Sequence, residues 1–380
     1  MQPLTPGGLP LLAIGILGTR GIPNRYGGFE ECAEQLAVRL VQKGHRVSVY
    51  NPHGHEFRGD AWRGVTIIRR WAPETRLGTI GQFAYDLACL NDARRRGFDV
   101  LLQLGYTSSS VWHRRWPEAC RNVVNMDGME WTRAKYHPLV RRFLKHAERL
   151  AAMHADALVA DSPGIQRHLA ETYQRQAHYI PYGSAVLDAG DEGVPSTYDV
   201  SPFAYHVAVA RLEPENHIEL IIQGCLESGT DKPLLVVGST SNSYGRSVVA
   251  RYGRYPQIRF VGPIYDRPRL DSLRFYSHLY FHGHSAGGTN PSLLDAMGCR
   301  ALIVAHDNPF NRAVLENDGL YFDDLRSLVA AIRGSASKRE RGDAIERNVE
   351  RIRAVFNWDL VTEQYEAVFR QAINRTRDHR

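Results

Sequence analysis

Short runs of apolar and β-branched residues alternate with amphipathic helical stretches along this chain, the alternation that a parallel sheet covered by helices requires. Strands are predicted in the first half at Leu11 to Leu17, Arg46 to Tyr50, Val65 to Arg69, Val100 to Leu104, Asn122 to Met126 and Ala157 to Asp161. Between the first two, Glu30 to Lys43 places Ala33, Leu36, Ala37 and Leu40 on one helical face and stops at Gly44, which makes one βαβ unit. The pattern lapses at Pro181 to Pro202, a stretch rich in Gly, Pro, Ser and Asp that reads as a linker. It restarts at Tyr205, with strands expected at His206 to Ala210, Leu234 to Val237, Ile258 to Val261, Leu279 to His282 and Ala301 to Val304. Two α/β domains are therefore expected, at residues 1–183 and 203–355, with Trp358 to Ile373 forming a closing helix that returns to the first domain.

Composition narrows the function classes. With 380 residues, 43% of them hydrophobic, the chain can bury two substantial cores. No apolar run approaches the ~20 residues of a membrane-spanning helix, and Met1 to Gly8 lacks the positive charge of a secretory leader. Five cysteines, Cys32, Cys89, Cys120, Cys225 and Cys299, stand scattered and never at C-x-x-C spacing, which disfavours a disulfide framework or a zinc site and fits a reducing cytoplasm. The H-x-H pairs His53/His55 and His282/His284 lack further ligands nearby in sequence, so no metal is expected. An excess of 47 Lys and Arg over 41 Asp and Glu, a net +6, suits anionic ligands or a lipid surface as well as it suits solvated arginine faces; nucleic acid is not expected as a partner.

Four stretches can carry chemistry. The first strand runs into Gly18 to Glu30, where Gly27 and Gly28 open a helix whose N–H groups and positive dipole end suit a phosphate. Its spacing is not G-x-G-x-x-G, and Tyr50, Asn51 and Pro52 stand where a dinucleotide site would place an acid. A purely structural loop is the alternative. In His282 to Met297, Asn290 is a suitable helix N-cap and Pro291 a suitable first helical residue. Asp295, one turn on, either accepts hydrogen bonds from two ribose hydroxyls or only complements the helix dipole. Arg211, after the strand at His206, lies where a guanidinium can hold a diphosphate through two bonds, unless it pairs with Glu213 or Glu215. Asp127, in Asn125 to Trp131, either orients a sugar hydroxyl or nucleophile or merely forms an Asp-Gly turn.

The strings LGTRGIPNRYGGFE, NMDGMEW, ARLEPEN and HGHSAGGTNPSLLDAM, in this order and covering nearly the whole chain, resemble the retaining glycosyltransferases of the GT-B fold, and within them a bacterial rhamnosyltransferase-like branch involved in capsule, O-antigen and rhamnan assembly. The resemblance implies two Rossmann-like, doubly wound domains facing a cleft, an N-terminal acceptor domain and a C-terminal donor domain. It implies that Gly27 and Gly28 lie beside the donor phosphates and that Arg211 grips the diphosphate, with Glu215, Asn216, Gly262, His284, Gly288, Thr289, Asn290 and Asp295 also at the donor site. The family's lysine five residues after the arginine is Asn216 here, and its paired glutamates correspond to Gly287 and Asp295. His284, Ser285 or Thr289 would then substitute for the first glutamate, and Asp127 stands where the wider family often carries a histidine. The implied donor is dTDP-rhamnose, with UDP-sugars next, its base read near Gly262 to Tyr265; no cofactor and no metal are called for. The implied acceptor is a saccharide or a polyprenyl-linked saccharide. The aromatic and basic run Trp131 to Lys145, with Arg133, Lys135, Tyr136, Arg141 and Arg142, would then touch anionic lipid from the cytoplasmic face. Two other readings stay open: an epimerase on the same scaffold, which would act on donor without acceptor, and an inactive nucleotide-sugar binding protein, which would bind without turnover.

Overall fold

The computed structural model describes residues 8, 10–25, 27–73, 78–132, 136–285, 287–335 and 337–375. The chain forms two compact units. The first takes the chain up to Trp131, Tyr136–Pro181 and the segment from Trp358; the second takes Tyr182–Asn357.

In the first unit the strands are β1 (Ala13–Leu17), β2 (Arg46–Pro52), β3 (Ala61–Trp62), β4 (Val65–Arg70), β5 (Val100–Leu104), β6 (Arg121–Asn125), β7 (Ala157–Ala160) and β8 (His178–Tyr179). They lie in the order β3-β4-β2-β1-β5-β6-β7-β8, parallel except where β3 runs against β4. Every residue of β1, β5 and β7 is buried, as central parallel strands covered on both faces must be. The helices are α1 (Gly28–Gln42), α2 (Thr79–Ala93), α3 (Pro138–His154) and α4 (Pro163–Tyr173), with the C-terminal α12 (Trp358–Asn374). The closing helix α12 belongs to this unit. It is tied to α1 by Arg39–Asp359 at 2.7 Å and to the α1–β2 turn by Lys43–Glu366 at 3.2 Å, and Asn125 donates to its Tyr365 hydroxyl at 2.8 Å.

The second unit holds β9 (His206–Val209), β10 (Leu234–Val237), β11 (Ile258–Gly262), β12 (Leu279–His282), β13 (Ile303–His306) and β14 (Leu320–Phe322), ordered β11-β10-β9-β12-β13-β14 and parallel throughout. Helices α5 (Ile218–Ser228), α6 (Ser243–Tyr252), α7 (Arg267–Phe275), α8 (Pro291–Gly298), α9 (Pro309–Leu315), α10 (Leu325–Arg333) and α11 (Gly342–Ala354) complete it. In this α/β fold of the GT-B type, strand order reverses at β1/β5 in one sheet and at β9/β12 in the other. Such switch points open a crevice outside the carboxyl ends of the strands, where ligands of open parallel sheets bind.

Two expectations change. The stretch from Tyr182 to Pro202 is not a loose linker: Ser184 donates its amide to Phe356 at 2.7 Å and Leu187 to Gly298 at 2.9 Å, so its backbone groups are met within the second unit and it packs there. The short strands β3, β8 and β14 are absent from the sequence reading because two or three residues carry no measurable period. All five cysteines are buried and free. No helix among the described residues is long and apolar enough to cross a membrane.

Candidate functional site

In the second unit two loops meet at the β9/β12 switch point. The β9 loop begins at Ala210 and the β12 loop at Gly283. The Ser285 amide and hydroxyl both donate to the Glu215 carbonyl at 3.0 Å, and the His217 ring bonds the Gly283 carbonyl at 2.8 Å. A Cβ at Gly283 would overlap the Asn216 carbonyl, so only glycine permits this approach. Ser292, in the first turn of α8, contacts the Val209 carbonyl at 3.5 Å. The structure therefore brings Arg211, Glu215, Asn216, His284, Ser285 and the start of α8 to one edge of one sheet.

Within that edge Arg211 is exposed and, among the described residues, has no ion-pair partner; the pairing with Glu213 or Glu215 is not formed. Its backbone is fixed all the same. Asn216, buried where the resemblance places a lysine, donates its side-chain amide to the Arg211 carbonyl at 2.7 Å, and Asn242 donates to the Leu212 carbonyl at 2.7 Å. Asn216 thus shapes the arginine's loop through its backbone. Asn290 caps α8 as its sequence predicts, accepting from the Ser292 amide at 3.0 Å, and Gly288 and the buried Thr289 precede it. Gly287 has φ +121°, a left-handed conformation that a glutamate would adopt only with strain.

His284 stacks on His282 at 4.4 Å, and His217 on His306 at 4.4 Å. Burial, then the neighbouring His284 and Arg274, pushes the His282 imidazole well below its ordinary range, so it is neutral at physiological pH. The His284 carbonyl accepts from Asn308 at 3.1 Å and Asn311 at 3.0 Å. Among the described residues no three His, Cys, Asp or Glu side chains converge as a metal set.

Asp295, expected at the donor ribose, is bonded by groups of its own unit. Its carboxylate accepts from Ser184 at 2.8 Å and Arg267 at 2.8 Å, and lies 3.5 Å from Arg274. Arg274 is itself buried and bonds Asp271 at 2.7 Å. Burial opposes the Arg274 charge, but Asp295, Tyr280 and Asp271 outweigh it and hold the guanidinium's pKa above its usual value. Asp295 is the acid of an arginine cluster inside the unit. Gly262 ends β11, two strands away from β9, and Tyr265 is exposed beyond it.

In the first unit, the loop that leads to Gly27 and Gly28, expected beside the donor phosphates, is bonded by acids of α1. Glu30 accepts the Arg20 amide at 2.7 Å, Glu34 accepts the Asn24 amide at 2.5 Å, and Glu31 accepts from the Asn24 side chain at 2.9 Å. Three carboxylates of α1 thus bind the loop and answer the helix's positive end, where a phosphate would meet like charge. These bonds tie the loop to the first turns of its own helix.

Asp127 stands past β6 with φ +46°, the turn conformation open to Asp, and its amide donates to Asn125 at 2.9 Å. What fixes the following loop is a residue the sequence did not single out. Glu148, buried on α3, accepts from the Trp131 indole at 2.9 Å, the Tyr173 hydroxyl at 2.8 Å and the Tyr106 hydroxyl at 3.4 Å, and bonds the His168 ring at 2.9 Å. The Tyr106 hydroxyl in turn accepts the Glu130 amide at 3.2 Å. An acid on a helix face carries no sequence signal of such a role, since the donors come from three separate elements. Trp131→Phe removes one donor to a charged acceptor and is expected to cost about 1.5–3 kcal/mol, read as a lower urea midpoint; an unchanged midpoint would show that the indole bond contributes nothing.

The family description that matches the chain is "Domain of unknown function (DUF1972)", over residues 118–185, the segment that holds β6, Asp127, α3 and Glu148. No curated protein matches. Among solved structures, the chain is similar to sucrose-phosphate synthase from Thermosynechococcus elongatus, with TM-score 0.77 and 18% identity over 94% of this chain and 98% of that one. It is also similar to HepE of Anabaena in complex with UDP and glucose, with TM-score 0.73 and 14% identity over 94% and 99%, and to α,α-trehalose 6-phosphate synthase from Burkholderia multivorans, with TM-score 0.70 and 12% identity over 95% and 97%. At these identities the likeness establishes the shared fold.

Proposed function

We propose that this protein is a nucleotide-sugar-dependent glycosyltransferase that moves a sugar, with rhamnose from dTDP-rhamnose as the first choice, onto a saccharide or lipid-linked saccharide with retention of configuration. The observation that carries the reading is an exposed guanidinium, Arg211, on a fixed backbone at the sheet switch point, held against the loop that leads into α8. Among the solved structures of like fold, HepE of Anabaena is in complex with UDP and glucose and with UDP-glucose, which supports a nucleotide-sugar donor.

In this reading Arg211 and the amino end of α8 stabilise the negative charge that grows on the diphosphate as the glycosidic C–O bond breaks. The acceptor hydroxyl approaches from the face the diphosphate leaves. Its oxygen bonds the anomeric carbon, and its proton passes to the departing phosphate oxygen. No enzyme nucleophile is required. Asp127, in the first unit, orients the sugar or acceptor hydroxyl, and Asp295 contributes indirectly by fixing α8 against α7. Contact with the cytoplasmic face of a membrane brings the enzyme to a lipid-linked acceptor.

A thermal-shift panel of dTDP, UDP, GDP and ADP tests this. A nucleotide present at a hundred times its dissociation constant stabilises the folded state by about 2.7 kcal/mol, so dTDP or UDP should raise the melting temperature and Arg211→Ala should abolish the rise. No response to any of the four overturns the reading. Donor incubated alone then separates transfer from epimerisation: an epimer formed without acceptor would identify the second chemistry.

A further inference from the structure

The outward face of α3 is divided into two strips. At about 100° per residue, the buried Leu144, Ala147, Glu148, Ala151 and Ala152 mark the inward arc. Opposite them, Leu139, Phe143 and Met153 fall within about 80° of one another, and they are 68%, 38% and 47% exposed. Arg142, Lys145 and Arg149, all exposed, occupy the adjoining arc. The helix has one carboxylate, Glu148, and it faces inward, so the outward face carries positive charge and apolar surface with no acid between. The apolar strip extends beyond the helix. Phe143 packs on Phe83 of α2 with ring centroids 5.7 Å apart, and Ile80, one turn before Phe83, is 71% exposed. At the other end His154 stacks on His113 at 4.1 Å, which sets the exposed Arg114 and Arg115 beside the helix end.

We propose that this face of α3 and the start of α2 is a docking surface for an anionic lipid bilayer. Apolar side chains beside an unopposed basic strip are what a helix lying in a bilayer interface presents, the apolar groups entering the acyl boundary and the cations meeting the headgroups. A second copy of the chain would set basic strip against basic strip, and nucleic acid would leave the apolar strip uncovered. The surface differs from the Trp131 to Lys145 run suggested by sequence: Trp131 is held by Glu148, Arg133 and Lys135 lie outside the described residues, and the contact moves along the helix to Leu139, Phe143 and Met153. The inference deepens the membrane contact in the proposed function, but its test needs no sugar substrate, so either can fail alone.

The test is co-sedimentation of the full chain with phosphatidylcholine vesicles, with and without phosphatidylglycerol, at low and high salt. Phosphatidylglycerol should strengthen binding at least tenfold, and salt should weaken it. The double variant Leu139→Glu/Phe143→Glu should lose at least tenfold in vesicle binding at low salt, as should Arg142→Glu/Lys145→Glu/Arg149→Glu. Because Phe143 also packs on Phe83 and Lys145 lies over the Trp131 ring, Leu139→Glu alone and Arg142→Glu/Arg149→Glu, whose side chains are exposed, are the variants that keep the melting temperature, and they should show the same loss. Equal binding to both vesicle types, or binding that survives the Leu139/Phe143 change, overturns the proposal. So does a dimer, seen by analytical ultracentrifugation, that the same variants abolish, or tight binding to single-stranded RNA without vesicle binding.

Discussion

Arg211→Ala should lower turnover by on the order of a hundredfold or more, the usual cost of removing one preorganised charge partner from a transition state, while leaving the melting temperature of the apo protein unchanged. The second half follows from the structure. The side chain is exposed and has no ion-pair partner among the described residues, and the loop is held by main-chain acceptors at Arg211 and Leu212 rather than by the guanidinium. Arg211→Lys separates charge from geometry. An ammonium restores a point charge without the planar fork that grips two phosphate oxygens at once, so it should recover part of the rate. The measurement is initial-rate release of nucleoside diphosphate from the donor the thermal panel selects. A rate within threefold of the parent for Arg211→Ala, at unchanged melting temperature, would remove this residue from the diphosphate site.

Much of this edge was legible in the sequence because its signals are local. Strands at Val100, Leu234 and Leu279 appear where alternation placed them, since a strand buried on both faces writes a compact apolar run. The cap and first residue of α8, Asn290 and Pro291, follow from steric and hydrogen-bonding rules that act within four residues. What stayed hidden depends on partners far apart in the chain. The acids Glu30, Glu31 and Glu34 follow a glycine-rich loop that looks like a phosphate cradle, and only the fold shows their carboxylates turned back onto it. Glu148 collects Tyr106, Trp131, His168 and Tyr173 from separate elements. The segment Tyr182 to Pro202 has a linker's composition, yet its amides pair with Phe356 and Gly298, more than a hundred residues on. Composition reports how a segment behaves alone, not what it meets.

Asp295 shows where such a distinction changes a prediction. Read locally, an acid one turn into a helix after a glycine loop either binds ribose or complements the dipole. In the fold it answers two arginines, Arg267 at 2.8 Å and Arg274 at 3.5 Å, and Arg274 is 4% exposed in its side chain. Removing one partner of a buried ion pair costs about 3–5 kcal/mol because the remaining charge stays desolvated. Here Asp271 still bonds Arg274 and Arg267 reaches solvent, which places the expected loss for Asp295→Ala near the low end, about 3 kcal/mol. Urea unfolding of the apo protein reads it directly, as a lower midpoint for the transition of the second unit. Arg267→Ala relieves the more exposed partner and should cost about 1 kcal/mol or less, so the pair of variants grades the cluster by burial. If Asp295→Ala keeps its midpoint but loses affinity for the nucleotide that stabilises the parent, the carboxylate is a ligand group after all, and the arginine cluster is held by Asp271 alone.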